Sequence, residues 1–281
     1  MILSGLKGLL SHGWANLGYW RSIHAATYFT RWRHCLLRPV RQRTAPGPRA
    51  RRLQRPQDQL GVRQAPLREA IHYLCHCPTR PGETDATVGH SLEDESLDVV
   101  ALIQSIGEPV FLLGHSYGAQ TALAAAAQVP DRVRKLVLYE AAWPHIVGKD
   151  ALGRLEELAQ AGDWEGFAAT FFRDTLFVPV EELDALRATE LWPPIIADAA
   201  ASLGDLRALS RYDFLAERFR ELRVRVMLQI GTESPRDLYV TDALAAVLPD
   251  VRIEALPGQA HEGMTTAPEM YAEAVSRFLL S

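Results

Sequence analysis

Along residues 91–281 the apolar positions fall into two kinds of run. Short, nearly continuous apolar stretches at 110–113, 135–140, 224–230 and 251–256 read as buried strands. Between them lie segments of helical period. In 92–106, Leu97, Val100 and Ile103 recur on one side, Ser91 and Asp94 have the spacing of a capping box, and Gly107 is a stop signal. An alanine-rich helix follows the 110–113 strand and ends before Pro130, and 241–248 and 268–280 read as two closing helices. Strand alternating with helix predicts an α/β class, a doubly wound, mostly parallel sheet.

Two regions depart from this alternation. Residues 145–222 hold amphipathic helical stretches at 152–161, 164–172, 181–188 and 206–219 and no strand, which predicts an all-helical insertion between two strands. The expected organisation is a basic, irregular leader at 1–60, a core made of 61–144 and 223–281, and the insertion at 145–222. Within the first 90 residues, 38–64 is rich in Arg, Pro, Gln and Ala and offers no strand, so the N-terminal part is expected to be atypical. Arg/Ala/Pro/Gln-rich text is also what GC-rich coding DNA yields out of frame, and a shifted reading frame is one account of it.

Charge sharpens the contrast. No Asp or Glu occurs before Asp58, while Lys7 and ten arginines do, so a chain of net charge −4 joins a basic leader to an acidic body. The leader has the charge of a mitochondrial transit peptide or a basic arm, but it is poor in serine and no nucleic-acid-binding module follows it. No nucleic-acid partner is expected. No apolar run is long enough to span a bilayer, so no stable membrane insertion is expected either. Three cysteines, Cys35, Cys75 and Cys77, do not make a disulfide framework, and a reducing compartment, the cytoplasm, is the simpler expectation, with the mitochondrion as alternative. Ile71-His72-Tyr73-Leu74-Cys75-His76-Cys77 has metal-binding residue types without a second cluster downstream, so no metal is expected.

The candidate chemistry centres on Gly114-His115-Ser116-Tyr117-Gly118, between an apolar strand and an alanine-rich helix. The chain must reverse there within a few residues, which leaves Ser116 in strained backbone at a helix N-terminus, with the Tyr117 N–H facing any oxyanion formed beside it. A serine hydroxyl needs a base, and the base needs a carboxylate to fix its tautomer. His261, in the Gly-flanked loop after the last strand, is the candidate base. Three carboxylates compete for the acid: Glu233 after the strand at 224–230 is first choice, Glu140 at the end of the strand at 135–140 is the alternative, and Asp237 is third.

Gly114-His115-Ser116-Tyr117-Gly118, Gly231-Thr232-Glu233-Ser234-Pro235 and Gly258-Gln259-Ala260-His261 together resemble the α/β-hydrolase superfamily over residues 91–281. The resemblance implies Ser116 as nucleophile, His261 as base, Tyr117 as one oxyanion donor, and the helical block as the family's cap. It further implies a second oxyanion donor after a His-Gly, here the N–H of Trp14 after His12-Gly13. The family's acid loop often reads Gly-x-x-Asp, and Ser234 stands at its fourth position. The expected activity is hydrolysis of a small ester through an acyl-enzyme, without a cofactor and with a small molecule as substrate. Thioester, amide or C–C cleavage, acyl transfer, and a catalytically silent binding protein of the same fold are the alternatives.

Overall fold

The computed structural model describes residues 34–40, 70–76, 91–178, 180–190 and 192–281. A six-stranded sheet runs through it in the order β2-β1-β3-β4-β5-β6. The strands are β1 (His34–Val40), β2 (Ala70–His76), β3 (Val110–His115), β4 (Val133–Tyr139), β5 (Arg225–Gly231) and β6 (Val251–Leu256). From β3 to β6 all neighbours are parallel, as the alternation of strand and helix predicts. β3 to β5 are buried along almost their whole length, which is why they read as unbroken apolar runs rather than alternating ones.

β1 starts just ahead of the 38–64 stretch in which the sequence offers no strand and overlaps its first residues, and β2 lies beyond it, within the expected core. β1 pairs antiparallel with β2 on one side and with β3 on the other. Arg38 and Pro39 hide it from a pattern reading, because proline removes a ladder donor. The register shows how proline is accommodated: β1 pairs with β3 only over His34 to Leu37, so Pro39 lies beyond the last partner on that side.

The helices of this unit follow from local sequence. α1 (Leu92–Ile106) starts at a complete capping box, with the Ser91 hydroxyl accepting from the Asp94 N–H and the Asp94 carboxylate accepting from the Ser91 N–H, and stops at Gly107 in left-handed backbone. Leu97, expected on its apolar face, is 54% exposed, because the buried stripe runs through Leu92, Ser96, Val99, Val100 and Ile103 and leaves Leu97 on its flank. α2 (Tyr117–Gln128) buries almost every side chain, so its alanines let the helix pack tightly on the sheet. α8 (Thr241–Ala245) and α9 (Gly263–Thr266) are single turns. α10 (Pro268–Leu279) ends against the Lys135 ammonium, which donates to the Phe278, Leu279 and Ser281 carbonyls at 2.8, 3.2 and 2.6 Å.

The chain divides into two compact units. The described part of the sheet unit is 34–40, 70–76, 91–146 and 208–281, and that of the other is 147–178, 180–190 and 192–207. That second unit is helical: α3 (Lys149–Gln160), α4 (Trp164–Thr170), α5 (Val180–Arg187), α6 (Trp192–Ala197) and the greater part of α7 (Ala199–Arg211). Asp163 caps α4 through the Gly166 N–H at 2.8 Å, and Phe171–Thr175 continues it as a wider π-helical turn. Leu155, Phe167, Phe172, Trp192 and Ile195 form its buried interior.

Two glycines separate local strain from steric exclusion. A Cβ on Gly107 meets nothing, so Gly107→Ala costs only the left-handed backbone, about 1 kcal/mol. A Cβ on Gly114 would strike the Gly118 carbonyl oxygen and the Ala119 Cα, both backbone. Gly114→Ala is therefore expected to lose about 3 kcal/mol or fail to fold, read by denaturant unfolding against Gly107→Ala.

Candidate active site

β3 ends at His115 and α2 begins at Tyr117, so the reversal is made at Ser116 alone. Its backbone takes φ 54° and ψ −122°, a conformation that a side chain adopts only where the surroundings hold it. They do so here through the Ser116 N–H, which donates to the Tyr139 carbonyl at 2.9 Å, and the Ser116 carbonyl, which accepts from Ala119 at 3.0 Å. Ser116 is partly exposed, with Tyr117 behind it as the first residue of α2.

One strand over, Glu140 follows β4 and also turns at positive φ, 48°. Its N–H donates to the Gln229 carbonyl at 3.0 Å. The turn leaves the carboxylate fully buried rather than in solvent. Oε1 accepts from the Gly231 N–H at 2.7 Å, and Oε2 accepts from His261 Nδ1 at 2.7 Å. Gly231 must be glycine for this approach, since a Cβ there would strike the Gln259 backbone.

The loop that carries His261 is fastened to β4. The Tyr139 hydroxyl donates to the Ala260 carbonyl and accepts from the Gly263 N–H at 3.1 Å. Tyr239 lies flat against the imidazole, with ring centroids 5.4 Å apart and planes 10° apart, and its hydroxyl stands 3.1 Å from Nδ1. Because Nδ1 gives its proton to Glu140 at 2.7 Å, the phenol oxygen is a secondary neighbour of the same N–H. With Nδ1 so engaged, the basic lone pair of neutral His261 is on Nε2.

Burial alone would drive both partners to their neutral forms, the carboxyl up and the imidazole down. The pair reverses this. The His261 hydrogen bond and charge, with the Ser234 hydroxyl and the Gly231 N–H, hold Glu140 below the usual carboxylate range. The Glu140 hydrogen bond and charge, with a smaller contribution from Glu262, hold His261 above the usual imidazole value. Burial and the Glu140 charge also push the Tyr239 phenol up, so it stays protonated and remains a donor.

Of the residues singled out from the sequence, the structure brings His261 and Glu140 together and sets Ser116 at the neighbouring strand end. Glu233, the first-choice acid, is not at the histidine. It is exposed, its carboxylate accepts from its own neighbour Thr232 at 3.0 Å, and its N–H donates to Gln259. Asp237 is exposed as well. Trp14, His12 and Gly13 lie outside the described residues, as do the side chains of 71–77. Among the described residues, no three His, Cys, Asp or Glu side chains gather where a metal could bind. No helix among them is long and apolar enough to cross a membrane. Sequence reading missed Tyr139, Tyr239 and His115. The signal for Glu140 was present: a carboxylate closing a buried apolar strand and followed by Ala141-Ala142 has to find a partner.

A strained serine between strand and helix lies one strand over from a buried His–Glu pair whose members follow β6 and β4. A model of the "Alpha/beta hydrolase family" matches residues 12–274. The chain belongs to this family. The match starts at residue 12, so the resemblance expected over 91–281 extends well into the N-terminal third. A curated relative from Mesorhizobium japonicum, 2-(acetamidomethylene)succinate hydrolase, is 28% identical over 214 residues, covering 68% of this chain and 72% of that protein. An alpha/beta hydrolase from Sphaerobacter thermophilus is 26% identical with a TM-score of 0.59, covering 74% of this chain and 81% of its own. A thermophilic esterase (21% identical, TM-score 0.55, covering 74% and 80%) and a bromoperoxidase from Bacillus anthracis (16%, 0.56, covering 70% and 78%) share the fold.

The electrostatics of the pair carry a sign that can be measured. His261, with its folded pKa raised, contributes stability below the unfolded value, and that contribution is lost as pH rises through the folded one. Glu140, with its pKa lowered, contributes above the ordinary carboxylate range and loses that contribution as pH falls through its folded value. The pair is therefore at its strongest between the two ordinary values, roughly pH 4.3 to 6.5. Followed by NMR, the His261 imidazole is expected to titrate above its ordinary value in the wild type and below it in Glu140→Gln, where burial is left unopposed.

Proposed function

We propose that the chain is a serine hydrolase that cleaves a small carboxylic ester through an acyl-enzyme, with Ser116 as nucleophile, His261 as base and Glu140, in place of Glu233, as the acid. The observation that carries the reading is the buried Glu140–His261 hydrogen bond of 2.7 Å beside a serine held at positive φ. Ser116 Oγ attacks the substrate carbonyl as His261 Nε2 takes its proton. Negative charge then gathers on the carbonyl oxygen, and the Tyr117 N–H at the positive end of α2 is the donor proposed for it. Trp14 remains the proposed second donor. His261 returns the proton to the leaving alcohol, and water, activated by the same imidazole, releases the acid and regenerates Ser116. Glu140 stays ionised throughout, held by the Gly231 N–H, and balances the imidazolium.

Nucleophile, base and charge stabilisation all come from side chains and main chain, so this chemistry calls for no cofactor. A small-molecule substrate in the cytoplasm is part of the same proposal, and so is a cap role for residues 145–222, taken from their place in the chain. The name of the Mesorhizobium relative supports a second substrate class, an acetamido-bearing dicarboxylate. An amide is attacked by the same steps with an amine as leaving group.

Intact mass after fluorophosphonate treatment tests the nucleophile: one adduct in the wild type and none in Ser116→Ala is expected. A folded wild type without an adduct would instead favour the binding-protein alternative. Turnover of a generic ester tests the acid. Glu140→Gln is expected to cost roughly 10³- to 10⁴-fold in kcat, as loss of the tautomer-fixing carboxylate does elsewhere, whereas Glu233→Gln stays within about twofold. The opposite ranking would return the acid role to Glu233.

A further inference from the structure

His115 takes no part in the steps above, yet it joins the two loops on which they depend. It precedes Ser116 in the chain, and its Nε2 lies 2.9 Å from the main-chain carbonyl oxygen of His261. A carbonyl oxygen only accepts, so Nε2 carries the proton. The His115 ring is 4.4 Å from that of His261, centroid to centroid, at 41°, and 5.3 Å from Tyr139 at 25°, so it is wedged between the base and the strand end that supports it. Burial and the proximity of His261 hold the His115 pKa well below the ordinary imidazole value. His115 is thus the neutral Nε2–H tautomer.

We propose that His115 is a positioning residue for His261: by clasping the base's own carbonyl, it sets the distance between the histidine loop and the serine to which it is directly bonded in the chain. Tyr139 treats the preceding carbonyl, that of Ala260, in the same way. Two successive carbonyls of one loop are therefore held from β3 and β4, the strands that end at the nucleophile and the acid. The consequence is a kinetic one, since displacement of a base by about 1 Å costs roughly 10²-fold in rate. The proposal rests on the reading of Ser116 and His261 as nucleophile and base.

The test is a cycle of His115→Ala and His261→Ala, with His115→Gln alongside because its amide keeps an N–H donor. The rates are fluorophosphonate labelling of Ser116 and turnover of p-nitrophenyl acetate. In His115→Ala both are expected to fall about 10- to 100-fold, with KM within about twofold. His115→Gln is expected to recover most of the loss. In a His261→Ala background, His115→Ala is expected to slow labelling no further, because the clasp then has no base to place. A loss under twofold in His115→Ala overturns the proposal, and so does a full loss that persists in the His261→Ala background. If His115→Ala does not fold, ¹⁵N shifts of the wild type decide. An Nε2–H imidazole supports the clasp, and the Nδ1–H tautomer refutes it. An unlabelled wild type would fail the hydrolase reading separately, with the shifts still reporting on His115.

Discussion

A carboxylate with no exposed surface is the constraint around which the sheet unit is arranged. Left alone, Glu140 would take up a proton or stay in water, because an ion stripped of solvent is costly. It stays charged because donors converge on it from two separate stretches of chain. Gly231 closes β5 and His261 follows β6. Each stretch approaches only through a special piece of backbone: the positive φ of Glu140 itself, and the bare Cα of Gly231 against Gln259. Removing one partner from such an arrangement leaves the rest buried and unpaired, which costs more than the bond is worth by itself.

What was legible in the chain follows from how local each feature is. The Ser116 turn was readable because the strand, the two glycines and the alanine-rich helix all sit within twenty residues and admit few conformations. The start of α1 was readable for the same reason, since Ser91 and Asp94 satisfy each other. The proposed acid was legible only as an alternative. Which carboxylate meets His261 depends on a reversal at Glu140 that no neighbouring glycine announces, and on the pairing of β4 with β5. Glu233 sits one residue from the expected position in its loop and is exposed, with its carboxylate on the neighbouring Thr232 hydroxyl, while the Ser234 Oγ is the buried one. β1 escaped notice because Arg38 and Pro39 break its pattern, and its membership of the sheet is decided by β2 and β3 rather than by its own residues.

The fold and the chemistry are tied less closely than the family name implies. An esterase and a bromoperoxidase align with this chain about equally well, at identities that speak for architecture only. The proposed acid follows β4, directly beside the strand of the proposed nucleophile, and the His261 loop is sewn to both strands through Tyr139 and His115.

The order of these parts along the polypeptide has a consequence for synthesis. Ser116 and Glu140 lie ahead of the helical unit, whereas His261 follows it, after β6. On the proposed roles, a nascent chain displays its nucleophile and its carboxylate long before it owns a base. Reactivity would then be withheld until β6 has been made and has joined the sheet.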